Sequence, residues 1–169
     1  MALNLWEVDM LASMKEAVEG VQDRLMTNHI GLDIVTTPGI GSFNADAKRL
    51  KQILFNLLSN AVGFSPPNET VTLKAERNGG TVVFSVTDRG PGIEPERQDK
   101  VFEMFETDSQ GSQHRGTGLG LSLVRSFVEL HGGTVAINSA VGQGTTVSCE
   151  FPIEHAAKGP PKELKRSAS

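Results

Sequence analysis

The chain of 169 residues has one cysteine, Cys149, which excludes an internal disulfide and any metal centre built from several thiolates. No apolar run is long enough to span a bilayer, and the N-terminal MALNLWEVDM is acidic and mixed where a secretory signal would be basic and then apolar. An excess of positive charge is also missing. The formal net charge is −4, which argues against a nucleic-acid partner. There is no internal repeat. With 38% apolar and 21% charged residues, the chain reads as one soluble domain of cytoplasmic character, long enough to bury a core. The cytoplasmic portion of a membrane-bound sensor would read the same way. Only the stretch from His155, HAAKGPPKELKRSAS, is locally basic. Its Pro, Gly and Ser content predicts a flexible tail over 155–169, after a domain spanning 1–154.

Apolar positions at Leu11, Met14, Val18, Val21 and Leu25 predict one helix over residues 9 to 28. An extended segment around Gly31 to Val35 follows, then a loop through Pro38, Gly39 and Gly41. Asp46 stands at a plausible helix start, and Leu50, Ile53, Leu54, Leu57, Leu58 and Ala61 mark a second helix ending at Gly63. The alternating stretches VTLKAER and TVVFSVTD, joined through Asn78-Gly79-Gly80, predict a β-hairpin. A third helix carries Leu121, Val124, Phe127 and Val128 on one face. The closing GTVAINSAVGQGTTVSCEFP gives two strands around a Gly-Gln-Gly turn, with Cys149 as a buried strand residue. The order helix, helix, hairpin, helix, hairpin predicts an α/β fold with helices on one face of a mixed sheet.

Three stretches carry chemistry. Asn56 and Asn60 lie four apart and share a helix face. Asparagine is a mediocre helix former, and its amide oxygen is a hard ligand suited to Mg²⁺ beside phosphate oxygens; a pair of solvated or mutually bonded asparagines fits the spacing equally. In VTDRGPGIEPE, Asp88 stands where a strand stops. A carboxylate there can accept from a ligand amine, and Gly90 and Gly92 let a flat ring approach the backbone, although Asp-x-Gly-Pro-Gly also serves as a plain turn. Gly116, Gly118 and Gly120 precede or open a helix, where glycine costs stability unless its backbone is used. Helix N-termini bind anions through free N–H groups; a tight Gly-rich turn is the other reading. Before them, Phe102 and Phe105 anchor a polar segment, Glu106 to Arg115, composed like a lid or an ordinary surface loop.

Taken together, NLLSNAVGFSP, VTDRGPGI, VFEMF, GTGLGLSLVRSFVELHGG and SAVGQGTTVSCEFP, in this order between Leu5 and Pro152, resemble the ATP-binding fold shared by histidine kinases, gyrase-type topoisomerases, the ninety-kilodalton heat-shock chaperone and MutL. The resemblance is specifically to the catalytic and ATP-binding domain of a two-component sensor histidine kinase. It implies a two-layer α/β sandwich of the Bergerat type. It also implies Asn60 as the Mg²⁺ ligand, Asn56 on the phosphate side, and Asp88 as acceptor of the adenine amine with Gly90, Gly92 and Ile93 beside the ring. Thr146 matches a threonine supporting the adenine site, and Gly116, Gly118 and Gly120 match the glycines whose backbone approaches the phosphates. The matched nucleotide-site positions further include Gly63, Phe105, Arg115, Thr117 and Leu119.

The resemblance implies Mg²⁺-dependent ATP binding and donation of the γ-phosphoryl group to a histidine on a separate dimerisation domain, with a response regulator downstream. None of His29, His114, His131 or His155 lies in a phosphoacceptor-like context: His131 matches the family's helix end, and the others read as surface residues. The chain is thus expected to be an excised, monomeric catalytic domain. Two departures favour a rival reading, a catalytically weak or inactive nucleotide-responsive docking module. Gly63 stands where many members carry lysine, and Glu106 where an arginine commonly follows the second aromatic. Another ATPase of the superfamily, such as a serine kinase acting on an anti-sigma antagonist, is a further rival; ELHGGTV and the compact length argue for the sensor-kinase branch over the gyrase or chaperone branches. Each lost cation removes a charge-assisted contact worth about 1.5 to 3 kcal/mol. If Arg115 compensates, Arg115→Ala weakens ATP binding more than AMP binding by calorimetry. Equal losses assign Arg115 to a solvent-facing charge instead.

Overall fold

The computed structural model describes residues 3–98 and 117–153. A five-stranded sheet of order β2-β4-β5-β7-β6 forms one layer. It comprises β2 (Gly31–Thr36), β4 (Thr70–Asn78), β5 (Thr81–Asp88), β6 (Thr134–Ala140) and β7 (Gly144–Pro152). β2 runs parallel to β4 and the remaining pairs are antiparallel, so the sheet is mixed, as expected. Both predicted hairpins are present, with Gly79 at φ +56° in the first turn. The helices pack on one face. α3 (Ala47–Phe64) lies between α1 (Met10–Gly20) and α5 (Thr117–Leu130), and it rests on β4 and β5.

Two short strands, β1 (Leu5–Asp9) and β3 (Ser42–Asp46), pair antiparallel as a separate sheet that the sequence reading did not include. Only Val8 of β1 is buried, Trp6 being 58% exposed, so no clean alternation marks the strand. The predicted helix over 9 to 28 is two helices, α1 and α2 (Gln22–Asn28), broken at Val21 (φ −113°, ψ 9°). A side chain on Gly20 would press on the ring of Phe55, so glycine lets the end of α1 lie close against α3. Met14, Val21 and Leu25 are all buried, because both helices turn the same side inward and the apolar period runs on through the break.

Each helix start has a local cause. Asp9 caps α1 through the Ala12 N–H at 2.8 Å. Asp46 caps α3 through the Arg49 N–H at 3.2 Å, as its position suggests. α3 buries Leu50, Ile53, Leu54, Leu57 and Leu58, and α5 buries Leu121, Val124, Phe127 and Val128, the face read from the sequence. Between the layers, Phe43, Phe84 and Phe151 meet edge to face or tilted, at centroid distances of 5.5 to 6.0 Å. Cys149 is fully buried on β7, its thiol pushed up to about 12, so it is an unreactive packing residue.

His131, just past α5, is a core residue 1% exposed. Its Nε2 accepts the Asp46 N–H at 3.1 Å, so the proton sits on Nδ1, which donates to Phe127 O at 2.8 Å. The ring also lies edge-on to Phe151 at 5.4 Å. Burial pushes its pKa below the ordinary 6.5, and the Arg49 charge adds to this, opposed by the Phe127 hydrogen bond and the Asp46 charge. Below pH about 6.5 the unfolded chain takes up a proton that the native chain resists. Stability is therefore full above that pH and falls as the pH drops. Thermal melts between pH 5 and 8 are expected to show this loss. His131→Phe keeps the ring contact but strands the Asp46 N–H, which costs about 1 to 3 kcal/mol and removes that pH-dependent limb.

Candidate functional site

The second half of α3 changes character. Leu57 and Leu58 continue the core, while Asn56 and Asn60 occupy one stripe beside it. Asn56 Oδ1 accepts from Gln52 Nε2 at 2.9 Å, and its Nδ2 lies 3.4 Å from Gly120 O. A Cβ on Gly120 would touch the Asn56 carboxamide at 3.5 Å. The first turn of α5 thus lies against Asn56 across 64 residues of sequence, and the absence of a side chain at Gly120 lets it come that close. Gly118 and Thr117 belong to the same turn, as does Leu119.

Asn60 differs from Asn56. It is buried at 7% exposure, and neither its Oδ1 nor its Nδ2 has a hydrogen-bond partner among the described residues. An unsatisfied buried amide costs about 1 to 3 kcal/mol, so a ligand that completes its bonds has a reason to be there. Gly63, one turn further, is exposed, with nothing among the described residues within 4 Å of where a Cβ would stand. Packing therefore does not require glycine at this position.

At the end of β5, Asp88 is 6% exposed, and its Oδ1 accepts the Gly90 N–H at 2.8 Å. The Thr145 N–H also donates to this carboxylate. Burial lifts the pKa of Asp88 above the ordinary 3.8 against the pull of these two bonds. Glycine is obligatory around it. Gly92 (φ +81°) lies against Ala140 O and Gly144 (φ +84°) against Asp88 O, leaving no room for a Cβ at either. Gly90 packs on the carbonyl oxygen of Phe64 at the end of α3. That contact joins the Asp88 loop to the helix carrying Asn60, so two sites 28 positions apart become neighbours. Ile93 donates its N–H to Ser139 Oγ.

Thr146 requires a correction. Its Oγ1 lies 2.8 Å from Thr87 Oγ1, and Thr87 is its register partner. Thr87 and Asp88 point to opposite sides of the sheet, so Thr146 is on the face away from the Asp88 carboxylate. The residue beside Asp88 is Thr145, its direct partner in the β5–β7 ladder. Two consecutive threonines made this choice invisible to spacing alone; only the pairing register decides it. Phe102, Phe105, Glu106, the Glu106–Arg115 segment with His114 and Arg115, Gly116, and the tail from His155 lie outside the described residues.

The site therefore has two ends. One combines the unpartnered carboxamide of Asn60 with Asn56, which lies against the glycine-containing first turn of α5, groups suited to oxyanions and a hard cation. The other is a desolvated carboxylate beside glycines, suited to an amine on a flat ring. Residues 45–155 match the histidine kinase-, DNA gyrase B- and HSP90-like ATPase family. The chain is 45% identical over 131 residues to the circadian input-output histidine kinase CikA of Synechococcus elongatus, covering 76% of this chain and 17% of that protein. It thus spans about a sixth of that relative. Among solved structures, the catalytic domain of histidine kinase ThkA matches with a TM-score of 0.80 at 27% identity, covering 89% of this chain and 97% of that one. Full-length ShkA in complex with AMPPNP matches with a TM-score of 0.80 at 33% identity, covering 90% and 32%. The chain belongs to the histidine kinase-, DNA gyrase B- and HSP90-like ATPase family, as a catalytic and ATP-binding domain of the histidine kinase type.

Proposed function

We propose that this domain binds ATP with Mg²⁺ and offers the γ-phosphoryl group to a histidine on a separate dimerisation domain, from which it passes to a response regulator. The observation that carries the reading is the buried carboxamide of Asn60, without a partner among the described residues and joined through Phe64 and Gly90 to the Asp88 loop. Asn60 Oδ1 is the hard oxygen a Mg²⁺ ion takes when most of its other ligands are waters and phosphates. When bound, the ion supplies charge neutralisation to the phosphates. Asn56 and the backbone of Gly116, Gly118 and Gly120 take the phosphate side. Asp88 accepts from the adenine amine, with Gly90, Gly92 and Ile93 along the ring. Phosphoryl transfer is mostly positioning and electrostatics, so a domain that holds ATP in one pose leaves the acceptor to arrive from elsewhere. Among the described residues no helix is long and apolar enough to cross a membrane; the proposed kinase role would place the domain in the cytoplasm, alone or as part of a membrane-bound sensor.

Gly63, which leaves room for a longer side chain among the described residues yet supplies no charge, favours a second reading, a domain that binds nucleotide but transfers slowly. Phosphotransfer to a supplied histidine domain separates the two: turnover supports the kinase, and binding without turnover supports the regulatory module.

Calorimetry with ADP and a non-hydrolysable ATP analogue is expected to give Kd values between roughly 1 μM and 1 mM, about −8 to −4 kcal/mol. Asp88→Asn is expected to lose at least about tenfold with or without Mg²⁺. Asn60→Ala is expected to lose only the Mg²⁺-dependent part, with the ligand-free Tm within about 4 °C of the parent. Because the ionised carboxylate is the acceptor, affinity is full above the raised pKa of Asp88 and fades as the pH falls through it. A parent domain that binds neither nucleotide refutes the proposal.

A further inference from the structure

The loop from Asp88 to the short helix α4 (Pro95–Gln98) is fastened by the β6–β7 hairpin, and the fastening converges on Ser139. Its Oγ accepts the Ile93 N–H at 2.8 Å, donates to Gly144 O at 2.9 Å and lies 2.8 Å from Thr145 Oγ1. A hydroxyl has one proton and two acceptor sites. With its proton on Gly144 O, Ser139 accepts from the Thr145 hydroxyl, and all three of its bonding positions are used. The carbonyl of Ser139 accepts from Gln98 Nε2 at 3.0 Å, and the same amide donates to Ile93 O at 2.8 Å. Both polar groups of the Ile93 backbone are thereby held. The Gly142 N–H donates to Pro91 O at 2.7 Å, and Gly92 sits tight on Ala140 O. At the other end of the network, the Thr145 N–H donates to the Asp88 carboxylate.

A strand that only needed to pair and pack would gain nothing from a hydroxyl at position 139, since its ladder bonds come from the backbone. This hydroxyl instead joins the two things a purine would meet, the acceptor and the adjoining loop backbone. We infer that Ser139 is a positioning residue for base recognition, holding the Ile93 peptide and Thr145 in fixed relation to Asp88 so that carboxylate and loop present one rigid edge to the base. Gln98 is the second clamp on the same peptide. The inference rests on the proposal that Asp88 takes the base of a bound nucleotide, and it adds determinants of base selectivity that never touch the ligand.

Ser139→Ala leaves the Ile93 N–H without its acceptor and frees the loop from Thr145. Calorimetry with AMP, ADP and Mg-ATP is expected to show the same loss for all three, about tenfold, because the defect lies at the base end. The preference for ATP over GTP narrows, and the gain from adding Mg²⁺ is retained. Gln98→Ala, which cuts the other hold on Ile93, gives a smaller loss with the same pattern, and the double variant loses less than the product of the two. Parent-like affinity and ATP-over-GTP preference in both single variants, or a loss confined to the triphosphate, overturns the inference while the nucleotide site stands. A parent chain that binds no nucleotide overturns the site itself.

Discussion

Asp46 accepts the Arg49 N–H with one carboxylate oxygen and the Asn4 N–H with the other, at 3.2 and 3.0 Å, while its own N–H donates to the buried imidazole of His131. One residue thus fixes the start of α3, the entry of the chain into β1 and the end of α5. The consequence appears at the far ends of the two helices. With His131 holding the C-terminal end of α5, the first turn of that helix can settle only where Asn56 meets Gly120. The glycines of the helix start are then delivered to the side chains of α3. A helix free to slide by one turn would move about 5.4 Å, and the carboxamides would face a different stretch of α5.

Two groups at the site weaken the fold that carries them. The carboxyl of Asp88 is held above its ordinary pKa by burial, so at neutral pH the unfolded chain accommodates its charge better than the native one does, and the residue reduces stability there. The carboxamide of Asn60 is buried without partners among the described residues. A sequence shaped only by stability would replace both. Each has instead been given the minimum of local support: two N–H donors for Asp88, and for Asn60 a rigid helix flanked by Leu57, Leu58 and Ala61 in the core. Such support leaves the groups oriented and incompletely bonded, a state from which binding releases energy without first breaking internal bonds.

The sequence was most legible where a periodic apolar pattern coincided with a cap or turn residue, as in α3 behind Asp46 and the hairpin through Asn78-Gly79-Gly80. It was least legible where tertiary contact decided the outcome. The break at Val21 leaves the apolar period uninterrupted, since Met14, Val21 and Leu25 are all buried. β1 contributes one buried residue, Val8, and depends on pairing with β3, which buries Phe43, Ala45 and Asp46. His131 reads as a helix end, and nothing local tells that its imidazole reaches Asp46, 85 residues away. At the site, the family resemblance singled out Asp88, Asn56, Asn60 and the glycines as candidates. The choice between Thr145 and Thr146 needed the register of β7 on β5, because a shift of one residue carries a side chain through the sheet.

The two ends of the site rest on different supports, and this division bears on how nucleotide binding is distributed. The carboxylate end depends on the β5–β7 ladder and the β6–β7 hairpin beneath the Asp88 loop. The carboxamide end depends on α3 and on how closely the first turn of α5 approaches it, where the hydrogen bond from Asn56 to Gly120 O is long at 3.4 Å. Phe64 O against Gly90 is the direct link between them among the contacts described. A ligand held at both ends therefore adds a further tie between the sheet and α5 to the one the core already makes through Leu121, Val124, Phe127, Val128 and the His131–Phe151 contact. Each end can be weakened separately while the other still binds. Simultaneous occupancy adds an intramolecular advantage, because the second contact forms after the first has already restricted the ligand.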